Sequence, residues 1–142
     1  MPSSLQEMIG ISGNSSQSLK AYGVRYEQID LINDDFDDEK IVERLKQNNV
    51  KLVEIQRSRG YSHRLSLTLD KIERIIKKIR EVNKDVIIMI DNCYGELVEK
   101  QEPGHIGADV VVGSLMKNLG GGIASTGGYI AGNKDLIFMV AE

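Results

Sequence analysis

A run of five consecutive apolar residues, 86–90, is the feature that most constrains what this 142-residue chain can fold into. A strand that is apolar on both faces is typical of a parallel sheet covered by helices on either side. Immediately before it, apolar residues recur every three or four positions over 69–82, which predicts one buried face of a helix. Thr68 is placed to cap that helix, which we expect to end near Asn83. A helix that leads directly into a buried strand predicts an α/β fold.

Shorter segments extend the same alternation of helices and strands. A short helical turn is expected at 19–22, followed by Gly23, and a helix is expected after the acidic residues 34–38, whose simplest interpretation is a solvated turn. The first 18 residues predict no element. Further strands are predicted at 24–31, 50–55, 110–112 and 128–131. The expected fold class is α/β, with a mainly parallel sheet and flanking helices in one domain over residues 1–142.

Composition and motifs narrow the possible functions. Eighteen basic and 21 acidic residues give a net charge of −3, so the basic excess of nucleic-acid-binding proteins is missing and we expect no nucleic acid as a partner. No apolar run approaches the roughly 20 residues that cross a bilayer, so no membrane partner is expected. The single Cys93 and the lack of a leader pattern favour a cytoplasmic protein. No dinucleotide or Walker motif is found, and His63, Cys93 and His105 share no metal-ligand spacing.

Polar side chains follow three of the predicted strands. Because ligands bind beyond the carboxyl ends of parallel strands, we expect these side chains to meet at one rim of the sheet. They are Arg57 and Arg59 after the first of these strands, Asp91, Cys93 and Tyr94 after the second, and Ser114 and Lys117 after the third.

Asp91 and Lys117 are the pair with the most specific chemistry. A pyridoxal-phosphate (PLP) enzyme needs a lysine amine to hold the cofactor's aldehyde and an acid to keep its pyridine nitrogen protonated. Ser114 and the glycines at 120–122 can supply hydrogen-bond donors for a phosphate. Taken singly, however, Asp91 could cap a turn and Lys117 could be a surface charge.

Two alternatives from other classes stay open. Ser114-x-x-Lys117 also matches the nucleophile motif of penicillin-binding proteins, although its companion motifs do not follow in this chain. The chain could also be a non-catalytic α/β fragment that serves a binding or structural role. Cys93, beside Asp91, is more simply a buried inert thiol than a pocket residue.

Several segments around these residues resemble fold-type-I PLP enzymes, and most closely the methionine gamma-lyase-related family labelled aluminium resistance proteins. The resemblance extends over nearly the whole chain. It rests on IDNCYGE at 90–96, GAD at 107–109, GSLMKN at 113–118, GGGIA at 120–124 and TGGYIAG at 126–132, with further similarity at 9–23 and 55–61.

The resemblance implies that the chain is part of a large, aminotransferase-like PLP-binding domain, without the family's earlier phosphate loop or later small domain. It implies that Lys117 forms the Schiff base with PLP, that Asp91 bonds the pyridine nitrogen, and that Ser114 contacts the phosphate. Tyr94 is expected near the cofactor's 3′-oxygen. Arg57 and Arg59, which stand where many relatives have Asn-Pro, are expected to bind cofactor phosphate or substrate carboxylate, although a solvated or ion-paired arginine is the commoner outcome.

The activity implied by the resemblance is that of a PLP-dependent carbon–sulfur lyase acting on a sulfur-containing amino acid, of the methionine gamma-lyase or cystathionine lyase type. A homo-oligomer is implied for the full-length enzyme, because its relatives build their sites between subunits. The fragment alone is expected to be inactive.

Overall fold

A computed structural model describes residues 3–13, 15–47 and 49–141. Four strands form one sheet in chain order: β1 (Leu52–Gln56), β2 (Ile87–Asp91), β3 (Val110–Ser114) and β4 (Gly128–Gly132). The first three strands are parallel, and β4 runs antiparallel to β3. The prediction of a mainly parallel α/β sheet is confirmed.

The helices alternate with the strands along most of the chain. They are α1 (Ser3–Ile9), α2 (Asp38–Lys46), α3 (Leu69–Val82) and α4 (Lys134–Ala141), with short 3₁₀ turns at Leu19–Tyr22 and Pro103–Ile106. The predicted bounds of α3 are confirmed, because Thr68 Oγ1 accepts the Lys71 N–H at 3.5 Å and Asn83 ends the helix. No helix among the described residues is long and apolar enough to cross a membrane.

The core lies between the sheet and α3. The apolar stripe of the helix packs on one face of the sheet, where Ile88 and Ile90 are fully buried. The prediction that this strand is buried on both faces is wrong for the described residues. Ile87 and Met89 point to the opposite face, where they are only half-buried. We call this opposite face the outer face of the sheet; Leu52 (46% exposed) and Ile130 (38% exposed) also lie on it.

The predicted strand at 24–31 is wrong. Most of its residues are exposed, and the segment pairs with no strand of the sheet. Side chains two positions apart contact each other along it, because Tyr26 donates to Gln28 at 3.1 Å and Gln28 donates to Asp30 at 2.6 Å. The alternation of apolar and polar residues in this segment therefore did not predict a strand of the sheet. Helix α1, where no element was predicted, was also missed.

The acidic residues before α2 do more than form a solvated turn. Asp37 caps the helix by accepting the Lys40 N–H at 3.1 Å. Asp38 forms ion pairs with Arg74 and, at 2.7 Å, with Lys78, both on α3. Asp38, the first residue of α2, therefore joins α2 to α3.

Candidate functional site

The carboxyl ends of β1, β2 and β3 lie side by side, as expected. Asp91, the last residue of β2, is level with Gln56 on β1 and Val112 on β3. Because successive side chains of a strand point to opposite faces, Asp91 and Ser114 belong to the outer face. Asn92, one residue further on, turns to the helix-covered side, where it is 1% exposed.

Four residues lie close together at this rim, namely Asp91, Cys93, Tyr94 and Lys117. The Oδ1 atom of Asp91 accepts the Cys93 backbone N–H at 3.0 Å. The charges of Asp91 and Lys117 both act on the Cys93 thiol, Asp91 raising its pKa and Lys117 lowering it. The Lys117 Nζ atom lies 4.6 Å from the centroid of the Tyr94 ring, which is within cation–π range. The structure thus brings together the amine, carboxylate and tyrosine that the sequence singled out.

Backbone geometry after β3 determines where Lys117 lies. Ser114 Oγ accepts the Met116 N–H at 3.3 Å, which starts a helical turn at Leu115–Leu119. Lys117 interrupts that turn, because its φ of −104° and ψ of −125° are not helical. The rim amine is therefore carried on a kink, and Ser114, the predicted phosphate ligand, lies at its start.

Tyr94 has an unusual backbone conformation. Its φ is 67°, in the left-handed region that bulky residues seldom adopt. Gly95 N–H donates to the Asn92 carbonyl at 2.7 Å, which closes a tight turn around Cys93 and Tyr94. Such a conformation persists only where surrounding contacts hold it, and it is enriched at functional sites.

The charges at the rim act on one another. Burial lowers the pKa of Lys117, but Cys93, Tyr94 and Asp91 together outweigh this effect and raise it. Burial raises the pKa of the Cys93 thiol, and Asp91 raises it further against the opposing effect of Lys117. Lys117 is therefore a cation at neutral pH in this arrangement, and its neighbours stabilise that charge.

The two predicted anion-binding arginines are placed differently. Arg57 is 4% exposed, on the helix-covered side, and its guanidinium bonds Leu67, Asn92, Gly95 and Glu99. This matches the alternative of an ion-paired arginine. Arg59 is exposed in the loop after β1. Anion binding by either residue stays a prediction.

Sequence reasoning missed a second polar cluster behind the rim. Asn92 Nδ2 donates to Glu102 at 2.8 Å, and Tyr129 Oη donates to Glu96 at 3.1 Å. Glu96 is only 3% exposed. Burial, followed by smaller effects that include the Glu96 charge, raises the pKa of Tyr129 to about 12. These four residues line a cavity of about 300 Å³ beside β3 and β4. Local sequence patterns do not predict these hydrogen-bonded pairs, because the partners are ten and 33 positions apart.

Comparison with known proteins identifies similar sequences and structures. The sequence profile of a family described as methionine gamma-lyase matches residues 2–142. An uncharacterized Bacillus subtilis protein, YnbB, is 43% identical over 129 residues, which are 90% of this chain and 31% of that protein. A Clostridium acetobutylicum structure, named provisionally as a cystathionine beta-lyase involved in aluminium resistance, is 50% identical with a TM-score of 0.89, over 95% of this chain and 33% of that one.

A more distant structure shares the fold. A methionine gamma lyase from Micromonospora echinospora is 24% identical, with a TM-score of 0.64 over 86% of this chain and 31% of that chain. This chain therefore spans about a third of the length of each of these three proteins.

Proposed function

The chain belongs to the methionine gamma-lyase family, and from that premise we propose that it supplies the lysine and the aspartate that hold PLP in a carbon–sulfur lyase. The observation that carries the proposal is the cluster at the rim. Lys117 Nζ lies over the Tyr94 ring, and Asp91 and Cys93 are near enough to shift its pKa. These residues follow the carboxyl ends of adjacent parallel strands, which is where α/β proteins bind cofactors.

The donor set fits this cofactor. PLP has three polar parts, namely an aldehyde, a pyridine nitrogen and a phosphate, and each needs a different partner. Lys117 offers a primary amine for the aldehyde, and Asp91 offers a carboxylate that can accept an N–H from the ring nitrogen. Ser114 offers a hydroxyl for the phosphate on the same outer face as Asp91. The exposed Tyr94 ring offers an aromatic surface, and its hydroxyl would be a partner for the cofactor's 3′-oxygen.

In this proposal Asp91 and Lys117 have separate chemical roles. When bound, PLP acts as an electron sink for negative charge at the substrate Cα. Asp91 keeps a proton on the ring nitrogen, because its charge favours the protonated form. Lys117 Nζ, once it is a neutral amine, takes the proton from the substrate Cα. The contacts with Cys93, Tyr94 and Asp91 favour the ammonium form, so these contacts must be exchanged before Lys117 acts as a nucleophile or base.

The proposed substrate is an amino acid with sulfur at its β- or γ-carbon, so that a thiol leaves when the C–S bond breaks. The family description and the name of the Clostridium protein, a cystathionine beta-lyase, support this class. Thiol release from S-substituted cysteines, compared with release from methionine, distinguishes loss from the β-carbon from loss from the γ-carbon.

The cofactor assignment is tested by borohydride reduction of the protein in the presence of PLP, followed by peptide mapping of the modified lysine. We expect the label on Lys117, and we expect Lys117→Ala to lose both the label and the visible absorbance of bound cofactor. Lys134→Ala, at an exposed lysine after β4, is the matched control and should keep both. Retention of label and absorbance in Lys117→Ala, or loss of both in Lys134→Ala, would contradict the assignment.

A further inference from the structure

Arg57 holds both ends of the turn that carries Cys93 and Tyr94. Its Nη1 atom donates to Asn92 Oδ1 at 2.8 Å and to the Gly95 carbonyl at 2.9 Å. These two residues flank Cys93 and Tyr94 directly. One nitrogen of a buried guanidinium therefore bridges the base of the turn whose tip meets Lys117.

The remaining bonds of Arg57 fix the guanidinium itself. Nε donates to the Leu67 carbonyl at 3.4 Å, and Nη2 pairs with Glu99. The Arg57 backbone N–H also extends the sheet by donating to the Asp91 carbonyl at 3.0 Å. Because a guanidinium is planar and presents its donors in a rigid fork, these contacts determine where Nη1 points.

The turn fits closely around this guanidinium. A methyl group on Gly95 would lie 2.6 Å from Arg57 Nη1 and 2.6 Å from Asn92 Oδ1. Asn92 is itself 1% exposed, and its amide donates to Glu102 on the other side. The turn therefore has little room to shift while Arg57 is in place.

We propose that Arg57 is a positioning residue, which holds the Cys93–Tyr94 turn against Lys117 from the opposite side of the sheet. The meaning of this role for catalysis rests on the proposed function. The positioning of the turn by Arg57 does not depend on the proposed function, and it can be measured without cofactor. Arg57 then acts through the turn and not by touching a ligand.

Cys93 is the chain's single cysteine and reports on the turn. Its alkylation by iodoacetamide, followed against pH in the folded protein, measures the thiol's surroundings. In the wild type, burial and Asp91 raise the thiol pKa, and Lys117 opposes them without cancelling the rise. If Arg57→Met releases the turn, the thiol pKa falls toward its ordinary value, and a larger fraction of Cys93 is thiolate at a given pH.

We therefore expect Cys93 of Arg57→Met to be alkylated faster than in the wild type at pH 7, with the midpoint of the pH profile shifted to lower pH. Arg57→Lys should be intermediate, because lysine keeps the charge but not the fork. Arg80→Met is the matched control: Arg80 also bonds a carboxylate and a main-chain carbonyl, namely those of Asp109 and of Val86 just before β2, but at the other end of the sheet. It should lose stability without changing the titration of Cys93.

Glu99→Gln removes the charge that pairs with Arg57 Nη2, at a side chain that is more exposed than Arg57. This variant tests the proposal if Arg57→Met does not fold. Faster alkylation in Glu99→Gln and in Arg57→Lys supports the proposal. An unchanged Cys93 titration in both, or an equal change in Arg80→Met, overturns it. Failure of PLP to label Lys117 would remove the proposed function but would leave this result standing.

Discussion

Replacing Gly113 with alanine tests how tightly the rear of the rim is packed. A methyl group at this position of β3 would lie 2.5 Å from Glu96 Oε1 and 2.5 Å from Tyr129 Cζ. Overpacking of this kind costs about 1–3 kcal/mol. Moving the ring away also removes the hydrogen bond from Tyr129 to the buried Glu96, which costs about 1–3 kcal/mol more. Alanine restricts the unfolded chain and returns about 0.4–1 kcal/mol.

The net expectation for Gly113→Ala is a loss of about 1–5.6 kcal/mol in the free energy of unfolding, with the middle of each range giving about 3 kcal/mol. Equilibrium unfolding in urea, with an unchanged slope, measures it. Gly104→Ala is the matched control, because its new methyl group would meet only Val111 Cγ2, at 4.0 Å. That variant should stay within about 0.5 kcal/mol of the wild type.

Titration of the Tyr129 hydroxyl provides an independent readout. In the wild type its pKa is raised to about 12, chiefly by burial. Gly113→Ala should lower it, because the displaced ring becomes more solvated, and NMR of ¹³C-labelled tyrosine resolves it from the other four tyrosines. If Gly113→Ala is as stable as Gly104→Ala and leaves this pKa at about 12, the close packing of Glu96, Tyr129 and β3 is refuted.

Three further outcomes are expected. Asp91→Asn should lower the pKa of Lys117, because burial lowers that pKa and the Asp91 charge is one of the effects that oppose burial. Amine labelling against pH measures the change, and an unaltered profile would show that Asp91 does not act on Lys117. Ile79→Ala should cost about 2–5 kcal/mol in urea unfolding, because the side chain is fully buried between α3 and the sheet; a loss below about 1 kcal/mol would speak against this core. Burial raises the pKa of Asp38, but hydrogen bonds from Lys78 and Arg74 on α3 outweigh burial and lower the pKa. The stability that these bonds contribute is complete above the unfolded pKa of about 3.9 and is lost as pH falls through the lower folded value. Asp38→Asn should remove that part of the acid dependence of the urea midpoint, and an identical acid profile in both proteins would contradict the ion pairs.

The sequence predicts those parts of the fold in which local pattern and burial coincide. The stripe over 69–82 gave α3 within a residue, and the apolar run at 86–90 gave the central strand. The segment at 24–31 shows the limit of this reasoning. Alternation specifies an extended backbone, but pairing with a sheet depends on neighbours that the segment does not itself encode.

The candidate site could be predicted only in part for a similar reason. Asp91 and Lys117 were found because each follows an apolar strand, and the parallel arrangement then brings strand ends together. The contacts of Arg57 depend on partners 35 and 38 positions away. Sequence position gave its place after a strand but not the face to which its side chain turns, so the pattern left anion binding open beside the commoner outcome of a solvated or ion-paired arginine.

The alternation of faces at the end of β2 explains how one short segment serves two purposes. Asp91 points to the outer face, and Asn92 points to the buried side, where Arg57 binds it. A left-handed φ at a residue such as Tyr94 costs about 1–3 kcal/mol. Hydrogen bonds from a charged donor contribute about 1.5–3 kcal/mol each, and Arg57 makes two at the base of this turn. These magnitudes are sufficient for the buried guanidinium to hold a strained turn at the rim, so the geometry around Lys117 depends on a residue that lies on the other side of the sheet.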